Sequence, residues 1–409
     1  MQKQKSFVKE LDRDCIASIH KTLLGGERDL PPAWAAQGLT FRETGMRCAL
    51  LQHEGGPCGV LAAVQAFVVR ELLLRGGPDG APPPPLTELS REAAGEALVA
   101  ALAGIIWAAR MGRLANVVVC KRPTLPPLRE AAGELTCTEC KSADDVAAAV
   151  RAGIGSFMRA KGPGVAMLLY SLMLTRGIAM VQRDADFPAT LIAPNGYCAQ
   201  ELVNLLLIGR AHSNVFDGEQ TVGEIGEDGT GGCRLRGIPR RSPVGFLTLF
   251  ERQGEPGSLL QVGSHLKRPM DAVFVLQSES HYSVMWAPGA APDLEPPKDD
   301  GAPADGMEGY GDDGFEDDPD AAANGHAAEA ADDGSAPAFR SSPGGLPFAG
   351  EFDVMYFDQM AERDEPVRLT LRRRPDEPPP AHLLPPLENV LLTRWPAASL
   401  DWNGNEVIL

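Results

Sequence analysis

Residues 58 to 74, CGVLAAVQAFVVRELLL, are apolar on nearly every side of a helical wheel. A surface helix carries one apolar stripe, whereas a helix that is apolar all round has to be surrounded. This segment is therefore expected to be a central helix that the rest of the chain covers. The residues leading into it read Gln-His-Glu-Gly-Gly-Pro from position 52. Gly55 and Gly56 permit a tight turn, and Pro57 suits a first helical turn because its missing N–H has no helical partner there. Cys58 then falls where the unpaired N–H groups and dipole of a helix favour negative charge, and a thiol is a nucleophile only as the thiolate. If Cys58 reacts, the start of this buried helix must open onto a cleft. Gln52, six residues earlier, offers a side-chain amide to an oxyanion. A buried structural cysteine after a Gly-Gly-Pro turn is the alternative that spacing leaves open.

The chain has 409 residues, 44% of them hydrophobic, enough to bury a substantial core. Its net charge of −17 is concentrated in one place. Between Asp293 and Gly334 fifteen Asp and Glu face one Lys, a local net of −14, which leaves −3 for the remainder. No basic patch of nucleic-acid type stands out. Arg240 with Arg241 and Arg372 to Arg374 are short runs expected to be solvated surface. The eight cysteines are widely spaced, no secretory h-region follows the N-terminus, and the run GVAMLLYSLML is too short to span a bilayer. Reduced thiols, a cytoplasmic or nuclear location and no membrane partner are the resulting expectations.

Helices are expected at about Cys15 to Leu24, 58 to 74, Glu88 to Arg110, Ser142 (as N-cap) to Ala160, Val165 to Arg176 and Cys198 to Ala211. After Arg236 the pattern changes to short β-branched and aromatic runs: GFLTLF, DAVFVLQ, HYSVMW, EFDVMYFD and VRLTLR. The fold class is α+β, a helical N-terminal half packed on a mostly antiparallel sheet. The segment at about 288–347 is Ala, Gly, Pro, Asp and Glu with few large apolar residues. Such a composition buries too little to offset its ordering entropy, so a disordered acidic insertion is expected inside a single catalytic domain spanning 1–409. Removing it brings HYSVMW and EFDVMYFD together as neighbouring strands.

A thiol nucleophile needs a base within hydrogen-bond reach and a group that orients that base. Of seven histidines, His326 lies in the acidic segment, His20, His212, His265 and His382 in polar or irregular contexts, and His53 too close in sequence to face Cys58 easily. His281 opens the strand HYSVMW. A strand-borne histidine facing a helix-borne cysteine is the papain-like arrangement, although a lone strand histidine is more often structural. Asp358 or Gln359 could orient it. Asp353 and Asp358 fall on opposite sides of a regular strand, and surface carboxylates are the bland reading of both. Cys137 and Cys140 form one CxxC without a second pair at zinc-finger spacing, which reads as plain thiols. No metal or cofactor is expected.

LQHEGGPCGVLAAVQAFVVRELL, NGYCAQELVNLLLIGRAHSNVFDG, VGFLTLFE, SESHYSVMW and PPLENVLLTRWPAASLDWNGNEVIL resemble, in this order, the MINDY family of cysteine deubiquitinases. The GGPCGVLAAVQ form is similar to the branch that includes longer proteins with the catalytic module at the C-terminus. The resemblance implies that Cys58 is the nucleophile, Gln52 the oxyanion glutamine and His281 the motif histidine. It further implies cleavage of isopeptide bonds at the ubiquitin C-terminus, with lysine-48-linked polyubiquitin preferred and no cofactor. Ubiquitin ends in two glycines, so a narrow cleft can select its tail by excluding side chains. The alternative is an inactive ubiquitin-binding module of the same fold. A small-molecule amidase or acyltransferase would share the thiol and histidine chemistry.

Overall fold

The structure is a computed structural model that describes residues 7–74, 86–223, 232–253, 261–288, 350–361, 363, 365–374 and 381–407. Most of the expected acidic insertion lies outside the described residues.

The described chain begins with β1 (Phe7–Glu10), α1 (Arg13–Leu24), α2 (Pro32–Ala35), α3 (Cys58–Leu74) and α4 (Arg91–Ala108). Next come β2 (Ala115–Cys120), β3 (Leu135–Cys140), α5 (Ala143–Phe157), α6 (Gly164–Arg176), α7 (Ile178–Asp184) and α8 (Gln200–Ile208). The second half holds β4 (Glu219–Val222), β5 (Cys233–Arg236), β6 (Gly245–Thr248), α9 (Phe250–Gln253), α10 (Ser264–Lys267), β7 (Val273–Ser278) and β8 (His281–Trp286). It closes with β9 (Glu351–Phe357), β10 (Val367–Arg373), α11 (Pro386–Leu392) and β11 (Ala398–Asp401).

Helix starts follow their caps. Asp12 accepts the Cys15 N–H, Ser90 that of Ala93 and Ser142 that of Asp145, so each side chain satisfies a first-turn donor without a helical partner. Gly25, at φ +78°, closes α1 in the left-handed conformation, and Gly177, at φ +84°, separates α6 from α7. No single helix among the described residues is long and apolar enough to cross a membrane; α6 and α7 together pass on length and composition but are bent by 85°.

α3 is central, as its composition demands. From Cys58 to Arg70 every residue is buried, and the helix packs against α4, α8, β7 and β8. The main sheet has the order β11-β10-β9-β8-β7-β6 and is antiparallel except for the parallel β6–β7 pair. Strand alternation divides the hydrophobic residues between two cores. Val273, Val275, Val284 and Trp286 face the helical half, whereas Phe274, Leu276, Met285 and Val354 pack with Leu387, Leu391 and Trp395 around α11. The sheet is thus covered on both sides.

β8 and β9 pair with Val284 opposite Phe357, so the strands on either side of the acidic segment are neighbours as expected. The expectations of a purely helical first half and of solvated basic runs need correction. The helical half contains its own antiparallel sheet, β1-β3-β2, and a β4–β5 ribbon precedes the main sheet. The CxxC cysteines lie on β3, where an odd spacing points them to opposite sides. The short basic runs are not simply solvated. Arg241 donates to the Arg268 and Pro269 carbonyls, and Arg374 pairs with the partly buried Glu388.

Candidate active site

The turn before α3 is set by Gly56, whose φ of +125° is open to glycine and strained for any other residue. Space demands glycine there as well. A Cβ would stand 3.0 Å from Trp34 Nε1 and 3.3 Å from the Gly196 carbonyl oxygen, which are hydrogen bonded to each other at 3.0 Å. Pro57 accepts the Leu61 N–H at 3.1 Å, so it stands just before the first helical residue, Cys58. Cys58 is 2% exposed, with its sulfur 3.9 Å from the carbonyl oxygens of Gly56 and Ser280.

Ser280 precedes His281, the first residue of β8. The His281 ring meets the Cys58 side chain, and its Nε2 lies 2.8 Å from Asp358 Oδ1. The β8–β9 register explains the second contact. One further pair beyond Val284 and Phe357 would set Asp358 opposite Ser283, diagonal to His281 on the same face. Asp353 turns the other way, accepts from the Thr370 hydroxyl at 2.6 Å and pairs with Arg368. The reading of Asp358 as a surface carboxylate is therefore overturned.

Burial pushes the His281 imidazolium down. Hydrogen bonds to Asp358 and Cys58 and their charges outweigh it, raising the pKa to about 10. Burial pushes Asp358 up, and the opposing contacts with His281 and the N–H groups of Met360 and Ala361 hold it below the ordinary carboxylate value. The two shifts describe an ion pair that favours charge on both partners.

Gln359, the other candidate orienter, is fully buried, and its side-chain amide has no hydrogen-bond partner among the described residues. Its backbone carbonyl accepts the Gln52 N–H at 3.3 Å. Gln52 is buried in the loop that leads into Cys58, with its Nε2 donating to the Glu54 carbonyl at 2.8 Å. That bond uses one of two amide hydrogens.

Sequence reasoning missed Cys198, 140 residues from Cys58. A Cβ on Gly59 would lie 2.8 Å from its sulfur, which also approaches the Gly56 carbonyl at 3.9 Å. Burial and the neighbouring Cys58 drive the Cys198 thiol up, against the N–H groups of Val60 and Gly59 at the start of α3. The first-turn field of α3 thus acts on Cys198, a contact that no local signal announces. Three other histidines have structural partners: His20 holds the Arg28 carbonyl and the Tyr170 hydroxyl, His212 the Gly237 carbonyl and His265 the Ile238 carbonyl. Among the described residues no group of three or more His, Cys, Asp or Glu could hold a metal ion. Burial raises the Cys137 and Cys140 thiols to about 11 and about 12.

The profile described as "Deubiquitinating enzyme MINDY-3/4, conserved domain" matches residues 21–291. The chain belongs to the MINDY-3/4 family. Among relatives, it is 32% identical over 424 residues to the probable ubiquitin carboxyl-terminal hydrolase MINDY-4 of Mus musculus, covering 100% of this chain and 48% of that protein. Against the Homo sapiens protein of the same description it is 32% identical over 412 residues, 96% of this chain and 46% of the relative. Against the ubiquitin carboxyl-terminal hydrolase MINDY-3 of Homo sapiens it is 31% identical over 281 residues, 61% of this chain and 59% of the relative. The chain spans about half the length of the MINDY-4 proteins it matches. The MINDY-3/4 domain match contains Gln52, Cys58 and His281 but stops before Asp358. No solved structure matches the chain.

Proposed function

We propose that this MINDY-3/4 member is a thiol-dependent deubiquitinase that hydrolyses the isopeptide bond at the ubiquitin C-terminus. The reading rests on the contact of His281 with both Cys58 and Asp358, at the start of a buried helix in a chain of this family. With its proton already held by His281, the Cys58 sulfur attacks the carbonyl carbon of the terminal glycine. The C–N bond breaks as His281 returns the proton to the leaving lysine amine, and water then hydrolyses the thioester. Asp358 orients the ring and stabilises the imidazolium. Gln52 directs its second amide hydrogen, with a backbone N–H near Cys58, to the oxyanion. The helix-borne thiol and strand-borne histidine support a papain-like relationship, and the sheet shared by the two cores supports one catalytic unit. Eight unpaired cysteines support a reducing compartment, cytoplasm or nucleus.

Lysine-48-linked polyubiquitin is the proposed substrate, supported by the motif resemblance. A panel of di-ubiquitins covering all linkages tests both levels. Cleavage of lysine-48 chains first is the expected outcome. Cleavage led by another linkage would overturn the preference alone, and binding without cleavage of any linkage would leave a ubiquitin-binding module.

A further inference from the structure

Asp358 lies beyond the last residue of β9, so the sheet does not fix it directly. The turn that carries it is instead gripped from a distant segment. Arg42, 9% exposed and next to the isolated bridge between Phe41 and Leu50, sends its Nη2 to two carbonyl oxygens of this turn, Gln359 at 3.2 Å and Ala361 at 2.5 Å. Its guanidinium carbon stands 5.5 Å from the Phe357 ring centroid, over the last residue of β9. The Gln359 carbonyl also accepts the Gln52 backbone N–H, so one oxygen joins the guanidinium, the Asp358 turn and the Gln52 segment. Inside the turn the polarity is complementary. Arg42 takes the carbonyls, while the Asp358 carboxylate takes the N–H groups of Met360 and Ala361.

We propose that Arg42 is a positioning residue of the active site, holding the turn of residues 358–361 against the Gln52 loop so that Asp358 meets His281. The inference rests on the thiol-hydrolase reading above, and Arg42 acts through Asp358 without touching substrate. Both bonds leave the single Nη2 atom, so a lysine ammonium could reach one or both carbonyls, but it supplies no planar group over the Phe357 ring. The titratable groups facing His281 are Asp358 from the end of β9 and Cys58 from α3. Loosening Asp358 therefore leaves an identifiable trace: His281 loses its proton at lower pH.

The test combines ubiquitin–lysine isopeptide turnover with the pH dependence of Cys58 alkylation by iodoacetamide, read by mass spectrometry on the full chain. For Arg42→Ala, kcat falls on the order of 10²-fold with KM nearly unchanged, as for a misplaced catalytic group. The alkaline limb of alkylation moves to lower pH, and Arg42→Lys falls between Arg42→Ala and wild type. In an Asp358→Asn background Arg42→Ala changes kcat less than about two-fold, because coupled residues are not additive. A folded Arg42→Ala protein with an unmoved limb, or full additivity with Asp358→Asn, overturns the proposal. If Arg42→Ala does not fold, Arg42→Lys decides: an unmoved limb again overturns it. Failure of the underlying reading looks different, since wild type itself would then show no turnover and no His281-dependent limb.

Discussion

His281 Nε2 and Asp358 Oδ1 stand 2.8 Å apart across 77 residues of sequence. With Nε2 occupied, the proposed reaction has Nδ1 as the ring nitrogen that exchanges the proton with Cys58. Replacing Asp358 with asparagine keeps the shape and removes the charge. Turnover of a ubiquitin isopeptide substrate is expected to fall on the order of 10²-fold or more in Asp358→Asn, with the melting temperature little changed. Activity within two-fold of wild type would remove Asp358 from the site.

The pH dependence has a definite sign. A histidine with a raised folded-state pKa contributes stability that is complete below its unfolded value of about 6.5 and is lost as pH rises through the folded one. For His281 that window runs from about 6.5 to about 10. The imidazolium of wild type should persist across neutral pH, as ¹⁵N–¹H NMR of the ring would register. Asp358→Asn should move the titration down toward 6.5.

Gly56 is required on two counts, its φ of +125° and the crowding by Trp34 and Gly196. Gly56→Ala is expected to cost about 1–3 kcal/mol of stability in denaturant melts. Because the same turn aims Cys58, alkylation of the thiol should slow as well. Gly55→Ala, where a Cβ meets nothing within 4 Å, serves as the comparison.

Gln52 has a narrower effect. With its amide anchored on the Glu54 carbonyl, Gln52→Ala should lower kcat by roughly 10²–10³-fold, the range for one oxyanion donor, and change KM little. Alkylation of Cys58, which forms no oxyanion, should stay near the wild-type rate.

Stability away from the site depends on one buried ion pair. Arg176 and Asp184 are each 3% exposed at the side chain and meet through two bonds, and Asp184 also accepts the Ala211 N–H. Asp184→Ala would strand a buried guanidinium. Unfolding free energy should drop by about 3–5 kcal/mol, measured by denaturant melts.

The sequence announced the parts of this fold that depend on local pattern. The apolar α3, the Ser142 cap and the β8–β9 pairing could be read from periodicity and capping. β2 and β3 could not be read so easily, because short strands inside a helical half have too few residues to outweigh their surroundings. Cys58 and His281 stood out through a Gly-Gly-Pro turn and a strand start. Asp358 did not, since choosing between it and Gln359 needs the register to β8. Arg42 and Cys198 carry no local mark at all: each joins the site through tertiary packing, across 316 residues from Arg42 to Asp358 and 140 from Cys58 to Cys198.

The most direct test of Cys58 as the nucleophile of a deubiquitinase is reaction with ubiquitin bearing a C-terminal electrophile, followed by intact-mass and peptide mapping. One ubiquitin added per chain, located on Cys58 and absent from Cys58→Ala, is the expected result. No adduct on the intact protein, or an adduct that survives Cys58→Ala, would contradict the account.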